Sequence, residues 1–283
     1  MNVVVEDEKK KNRWLRVFYI IILIICAVAI IGAVVFQVIK QNNEKESAKL
    51  PQLTEEQKNE HKEEFEKIFD NKINYLNNNS YKIVKLETDK EIVYTGYKNN
   101  DSKINDYEMN VNIPYININN DIIEEFNTQI RDIFEKKAKS IGNTQNNNVI
   151  YTVDYSGYIS NNILSLVVKS TLKEGTNPQR DIIQTYNYDL TNQKEYTIDD
   201  MLNAKGMTKK EANQKIKEEI KSQQEKAEEL EKLGYTTYKR DYTSDIYNIN
   251  NATEYFMGKD NALYVIYAYG NENNTNEMDV VIM

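Results

Sequence analysis

The pattern of hydrophobic and polar positions changes period along the chain. It opens with Val17–Ile39 (VFYIIILIICAVAIIGAVVFQVI), an unbroken apolar run with no charge and one amide, Gln37. As a helix this run reaches about 34 Å, enough to cross a hydrocarbon core of about 30 Å with modest tilt. It exceeds the apolar core of a signal peptide, about 7–15 residues. Ile25 also stands before Cys26, where a lipoprotein cleavage site needs a small residue. The run therefore reads as a retained anchor. Five cationic side chains precede it (Lys9, Lys10, Lys11, Arg13, Arg16) and three follow closely (Lys40, Lys45, Lys49). That bias places residues 1–16 as a cytoplasmic tail and the C-terminal part outside the membrane.

Residues 40–80 read as a polar connector leading into a juxtamembrane helix. Thr54-Glu55-Glu56-Gln57 fits a capping box, and Phe65, Ile68, Phe69, Ile73 and Leu76 recur at helical spacing up to the Asn77–Ser80 stop. His61 falls among Lys and Glu and reads as a solvated helix position. From residue 81 the period becomes two. Strands are expected over 81–86 and 91–97, with a turn at Asp89-Lys90, and over 107–115, where Tyr107, Met109, Val111, Ile113 and Tyr115 share a face. After Pro114 the apolar set slips by one residue, which predicts a bulge or a sheet edge. A helix follows over 122–139, capped from Asn119-Asn120-Asp121 and burying Ile122, Phe126, Ile130, Ile133 and Phe134. Strands over 149–158, 163–168 and 182–190 come next, the middle one apolar on both faces. A short helix opens at Asp199. A longer one opens at the Thr208–Glu211 capping box and stops at Gly234, with a thin stripe of Ile216, Ile220, Ala227 and Leu230. Strands over 262–269 and 278–282 close the chain. The fold class is α+β: a single N-terminal transmembrane helix, then residues 81–283 as a domain of mainly antiparallel sheet with packed helices.

Composition narrows the chemistry. The chain's formal charge is −8, and residues 1–39 carry five basic against three acidic groups, so the outer part holds about −10. That balance repels nucleic acid and suits a cationic partner, although solubility alone favours it too. The lone cysteine, Cys26, lies in the anchor, and His61 is the lone histidine. A disulfide, a Cys/His zinc site, a Ser-His-Asp triad and a Cys-His dyad are thereby excluded from the outer domain. The 38 asparagines read as the bias of an AT-rich genome. Asn117, Asn119, Asn120 and Asp121 lack calcium-loop spacing and are explained by the cap. No metal or cofactor is expected.

Several segments carry a resemblance: the strand over 107–114 entering a helix with Asn127, the hairpin YTVDY…NNILSLVV, YNYDLTNQKEYTIDDML (186–202), EYFMGKDNALYVIYAY (254–269) and the terminal DVVI. In this order they resemble the extracytoplasmic domain of lysozyme-sensing anti-sigma-V factors (RsiV-like), shared with the accessory domain of Gram-positive peptidoglycan deacetylases. Residues 174–177 (EGTN) lack the Ala and His usual in that family. The last hairpin has Asn271–Asn276 in place of its Pro and Gly. The resemblance implies a binding or sensing module at the cell membrane of a Gram-positive bacterium, taking a lysozyme-like cationic protein or a peptidoglycan fragment. A regulator controlled by proteolysis is the alternative, though sixteen residues before the anchor are few for gripping a sigma factor. A cell-wall hydrolase using paired carboxylates such as Asp199 and Asp200 is a further one, against which Asp199 reads as a helix cap. No catalytic residue is assigned. Tyr186, Tyr188, Tyr264, Tyr267 and Tyr269 are the candidate partner or ligand surface; half-buried strand positions are their plainer reading.

Overall fold

Four layers stack in the order helix, sheet, sheet, helix, because the smaller sheet and the middle of the larger one are apolar on both faces and must be covered twice. The computed structural model describes residues 50–77, 79–268 and 278–283, and the compact unit begins at Leu50. The expected tail, transmembrane helix and first part of the connector lie outside the described residues. Among the described residues no helix is long and apolar enough to cross a membrane.

The larger sheet contains β1 (Lys72–Tyr75), β2 (Val93–Lys103), β3 (Tyr107–Ile116), β4 (Val149–Ser160), β5 (Ile163–Glu174), β6 (Arg180–Asp189) and the two-residue β7 (Lys194–Glu195). Its order is β2-β3-β4-β5-β6-β7, with β1 paired to β4. The pairings are antiparallel except β3–β4 and β1–β4, which are parallel. The β3–β4 crossover runs through α2 (Asp121–Ile130), a π-helical turn (131–135) and α3 (Lys136–Asn143). Ile123, Ile130, Phe134 and Ile141 from that crossover pack with Val111, Val153, Leu166 and Tyr188 from the sheet. Asn120 caps the crossover helix, as expected. The π turn adds a residue to the helical repeat, so Ile133 is 36% exposed where the regular period expected it buried.

The smaller sheet, ordered β10-β9-β8, is antiparallel: β8 (Glu254–Met257), β9 (Leu263–Ala268) and β10 (Met278–Ile282). Alternation along β9 sends Tyr264 and Ile266 toward the larger sheet, where they meet Tyr158, Val167 and Ile183. Leu263, Val265 and Tyr267 point the other way, onto Ile216 and Ile220 of α5 (Lys209–Lys232) and Met201 and Leu202 of α4 (Ile198–Ala204). Leu230 stays 46% exposed, so α5 packs only part of its expected stripe.

Several expectations need correction. The helix expected to run to Leu76 ends early: α1 (Glu55–Glu64) passes into a 3-10 turn (Phe65–Lys67), and Asn71 (φ 58°) reverses the chain into β1. β1 then lies beside β4, and Leu53 and Phe65 enter the core between the sheets. Residues 50–77 thus belong to the folded unit. Residues 81–86 form no strand. The bulge falls at Gly96 of β2, where the register shifts between Thr95 and Tyr97, so Pro114 is paired but not bulged. A Cβ at Gly96 would come within 2.7 Å of Tyr115 Cβ, which explains the glycine there. Pro114 lies beyond the last β3–β4 pair, Val111↔Val153, where its missing N–H costs no ladder bond. Thr197, not Asp199, caps α4, with Asp200 completing the box.

Asparagine has more structural work here than a composition bias implies. Asn161 and Asn162, both at positive φ, form the two-residue β4–β5 turn. Asn127 Oδ1 accepts from Ile116 N and its Nδ2 donates to Ile116 O, both at 2.8 Å, so one side chain completes the end of β3. Asn117 Nδ2 donates to Glu87 O (2.7 Å) while its Oδ1 accepts from Glu87 N (2.8 Å), pinning the loop before β2.

His61 is buried, contrary to its expected solvation: its Nδ1 lies 3.1 Å from the Tyr264 hydroxyl and its Nε2 3.5 Å from Asp260. It fastens α1 to the smaller sheet. Replacing His61 by leucine is expected to cost about 1–2 kcal/mol, because the Tyr264 hydroxyl is left buried without that partner. The readout is the urea midpoint at constant slope; an unchanged midpoint would show that the bond carries no stability.

Candidate functional site

The two sheets are joined at the outer edge of β6 by side chains. β7 pairs only with Tyr188 and Asp189 of β6, so the rest of that edge has no strand beside it. The edge residues face β8 instead. Thr185 N and Thr185 Oγ1 both donate to Glu254 Oε2 at 2.7 Å, and Gln184 Nε2 donates to Glu254 Oε1 at 3.0 Å. Asn187 Nδ2 donates to Tyr255 O at 2.8 Å, and Ser165 Oγ accepts from Met257 N at 3.2 Å. Glu254 and Phe256 share the inward face of β8. That alternation delivers a carboxylate to the sheet junction beside a fully buried aromatic ring.

A cleft of about 310 Å³ opens at this junction. Helix α2 supplies Glu125, Phe126 and Gln129 from one side, β6 supplies Gln184 through Asn187, and Glu195 and Glu254 come from β7 and β8. Three of its lining groups are carboxylates and none is basic. Among the described residues none of the three pairs with a lysine or arginine. Burial pushes the Glu254 carboxyl up to about 7, against the opposing effect of the Thr185 hydrogen bonds. The Phe126 and Tyr186 rings pack with centroids 5.1 Å apart. The Tyr186 hydroxyl is buried without a hydrogen-bond partner, and burial and then the Glu254 charge suppress its ionisation.

The tyrosines expected to form one surface are placed differently. Tyr186, Tyr188, Tyr264 and Tyr267 are each at most 3% exposed. Tyr186 and Tyr188 lie in the core under α2 and α3, Tyr264 between the sheets and Tyr267 under α5. They are core residues of three separate clusters, and only Tyr186 reaches the cleft; Tyr269 lies outside the described residues. Asp199 and Asp200 each have a structural partner: Asp200 closes the α4 cap and Asp199 lies 2.8 Å from Lys209 Nζ. No group of three or more His, Cys, Asp or Glu could hold a metal among the described residues. Glu254 is the residue the sequence pattern should have singled out. It is two positions from Phe256 in an apolar run, so a charge falls on an inward face.

Fold and site together define an α+β domain of two stacked sheets with an acidic cleft at their junction. No family model matches the chain, and no curated protein does. Among solved structures, the chain is similar to a DUF3298 family protein from Pseudomonas aeruginosa PAO1. The identity is 12% and the TM-score 0.40, over 72% of this chain and 90% of that one. A DUF3298 family member from Bacteroides fragilis matches at 14% identity and TM-score 0.27, over 57% of this chain and 61% of that one. Both TM-scores lie below 0.5, so neither fixes an activity for this chain.

Proposed function

We propose that this chain is a membrane-anchored extracytoplasmic binding module whose domain recognises a cationic protein of the lysozyme kind. The observation that carries this reading is the cleft at the β6–β8 junction, with three carboxylates and no basic group around it. The apolar run Val17–Ile39, the excess of about ten negative charges after it and the RsiV-like order of segments support the same reading. The domain acts by binding, with no catalytic step assigned to it. Charge complementarity of this sort speeds association and weakens with salt.

The test is titration of the detergent-solubilised full chain with lysozyme by interferometry. Saturable binding is expected at low ionic strength, weakening by about tenfold or more toward physiological salt. Absence of saturable binding at low ionic strength overturns the reading.

A further inference from the structure

The cleft has a feature that an acidic patch on a soluble surface lacks: unfilled hydrogen-bonding capacity at its inner end. Glu254 Oε2 already accepts two bonds from Thr185, whereas Oε1 accepts one, from Gln184. A carboxylate oxygen offers two acceptor sites, so Oε1 retains one. Tyr186 lines the same cleft, its ring packed against that of Phe126. The rings of Phe126, Tyr186 and Tyr255 supply aromatic walls that favour a cation. The volume, about 310 Å³, sits at the small end for ligand clefts and suits one side chain rather than a folded segment.

From this geometry we infer that the cleft is the seat for a single lysine or arginine side chain of the partner protein, received by Glu254 against the aromatic walls. The inference rests on the reading of the domain as a receptor for a cationic protein and names the contact that receptor makes. Glu125 from α2 and Glu195 from β7 flank the entrance. The titratable groups that line the cleft with Glu254 are those two, Tyr186 from β6 and Tyr255 from β8. None of the four offers a positive charge, and burial is what raises the Glu254 carboxyl until a cation arrives. With the Glu254 carboxyl held up to about 7, the unoccupied seat is largely protonated in mildly acidic solution. The arriving cation displaces that proton, so occupancy is tighter at higher pH.

Isotope-labelled full chain in detergent is titrated with Nα-acetyl-lysine methylamide and its uncharged analogue Nα-acetyl-norleucine methylamide, following the Thr185 amide and Gln184 side-chain resonances. Saturable shifts are expected with the lysine compound alone, about tenfold tighter at pH 8 than at pH 6. Glu254→Gln is expected to weaken the interaction about tenfold or more and to flatten its pH dependence. Glu195 is exposed, so Glu195→Gln leaves the fold intact; it should weaken binding about threefold. Equal response to both compounds, no saturable shift, or an unchanged affinity in both variants overturns the inference. Lysozyme binding that Glu254→Gln leaves untouched would retain the receptor and remove the seat. The lysine compound binding where lysozyme does not would retain the seat and remove lysozyme as the partner.

Discussion

Arg240→Leu is expected to lower stability by about 3–5 kcal/mol at neutral pH, the cost of leaving a buried carboxylate without its cation. The carboxylate is Asp279 on β10, 1% exposed, facing the same way as Val281 into the core under α5. Arg240 Nε donates to its Oδ1 at 2.6 Å, and the Tyr247 hydroxyl donates to its Oδ2 at 2.8 Å. Arg240 also donates through Nη1 to Tyr238 O, at 3.2 Å. Its own amide donates to Gln224 Oε1 of α5 at 2.6 Å. Arg240 therefore holds the tyrosine-rich loop after α5 against both the helix and the last strand. Asp279→Asn in the Arg240→Leu background removes the charge but keeps an acceptor for Tyr247, and should recover about 2 kcal/mol. Urea denaturation of the four members of this cycle measures the coupling. A single Arg240→Leu loss below about 1 kcal/mol would show that Asp279 finds its compensation elsewhere.

Why this pair escapes a reading of the sequence shows where such a reading stops. Period-two alternation locates β3 and β4, unbroken apolar runs locate β5 and β9, and Asn120 and Thr208 announce their helices by local side-chain chemistry. Partners across about 40 positions, such as Arg240 and Asp279, leave no local trace. The same limit explains His61: Lys and Glu surround it on α1, and its contacts with Tyr264 and Asp260 come from far along the chain. Tertiary pairing likewise overrode the helical spacing of Ile73 and Leu76. Asn71 at φ 58° costs little and lets the segment gain a strand partner in β4.

The site was less legible than the fold for a related reason. Tyr186, Tyr188, Tyr264 and Tyr267 look like a platform because aromatic residues in strands cluster by face, but all four fall where the sheets are covered by each other or by helices. The acidic cleft arises from α2, β6, β7 and β8 meeting at an unpaired strand edge. β8 has only four residues, and its inward charge at Glu254 interrupts the apolar signal that would have identified it. The cost of that interruption is the reason to expect a role for it: burying the Glu254 carboxylate carries a desolvation penalty that its hydrogen bonds offset only in part.

Lys205→Met is expected to stabilise the protein by about 2 kcal/mol at pH 7, the reverse of most buried substitutions. Lys205 follows α4 and is 1% exposed. Its Nζ donates to Asn261 O at 2.9 Å, and no carboxylate lies against it among the described residues. Burial first, then the charges of Lys215 and Lys58, lower its ammonium to about 8. A depression from 10.5 to about 8 corresponds to about 3 kcal/mol of penalty on the charged folded form. Loss of the bond to Asn261 O returns about 1 kcal/mol of that. The sign follows from proton counting. Below pH 8 both folded and unfolded chains hold the Lys205 proton, and the penalty is present in full. Between about 8 and 10.5 the unfolded chain keeps the proton that the folded chain has released, so wild-type stability gains relative to the variant as pH rises. The advantage of Lys205→Met over wild type should therefore shrink across that window and reverse near its top. Paired urea titrations at pH 7, 8.5 and 10 remove the background from the tyrosines, which ionise in both proteins alike. A variant no more stable than wild type at pH 7, or an advantage constant with pH, would mean that the lysine is not held in the folded chain at the expense of its charge.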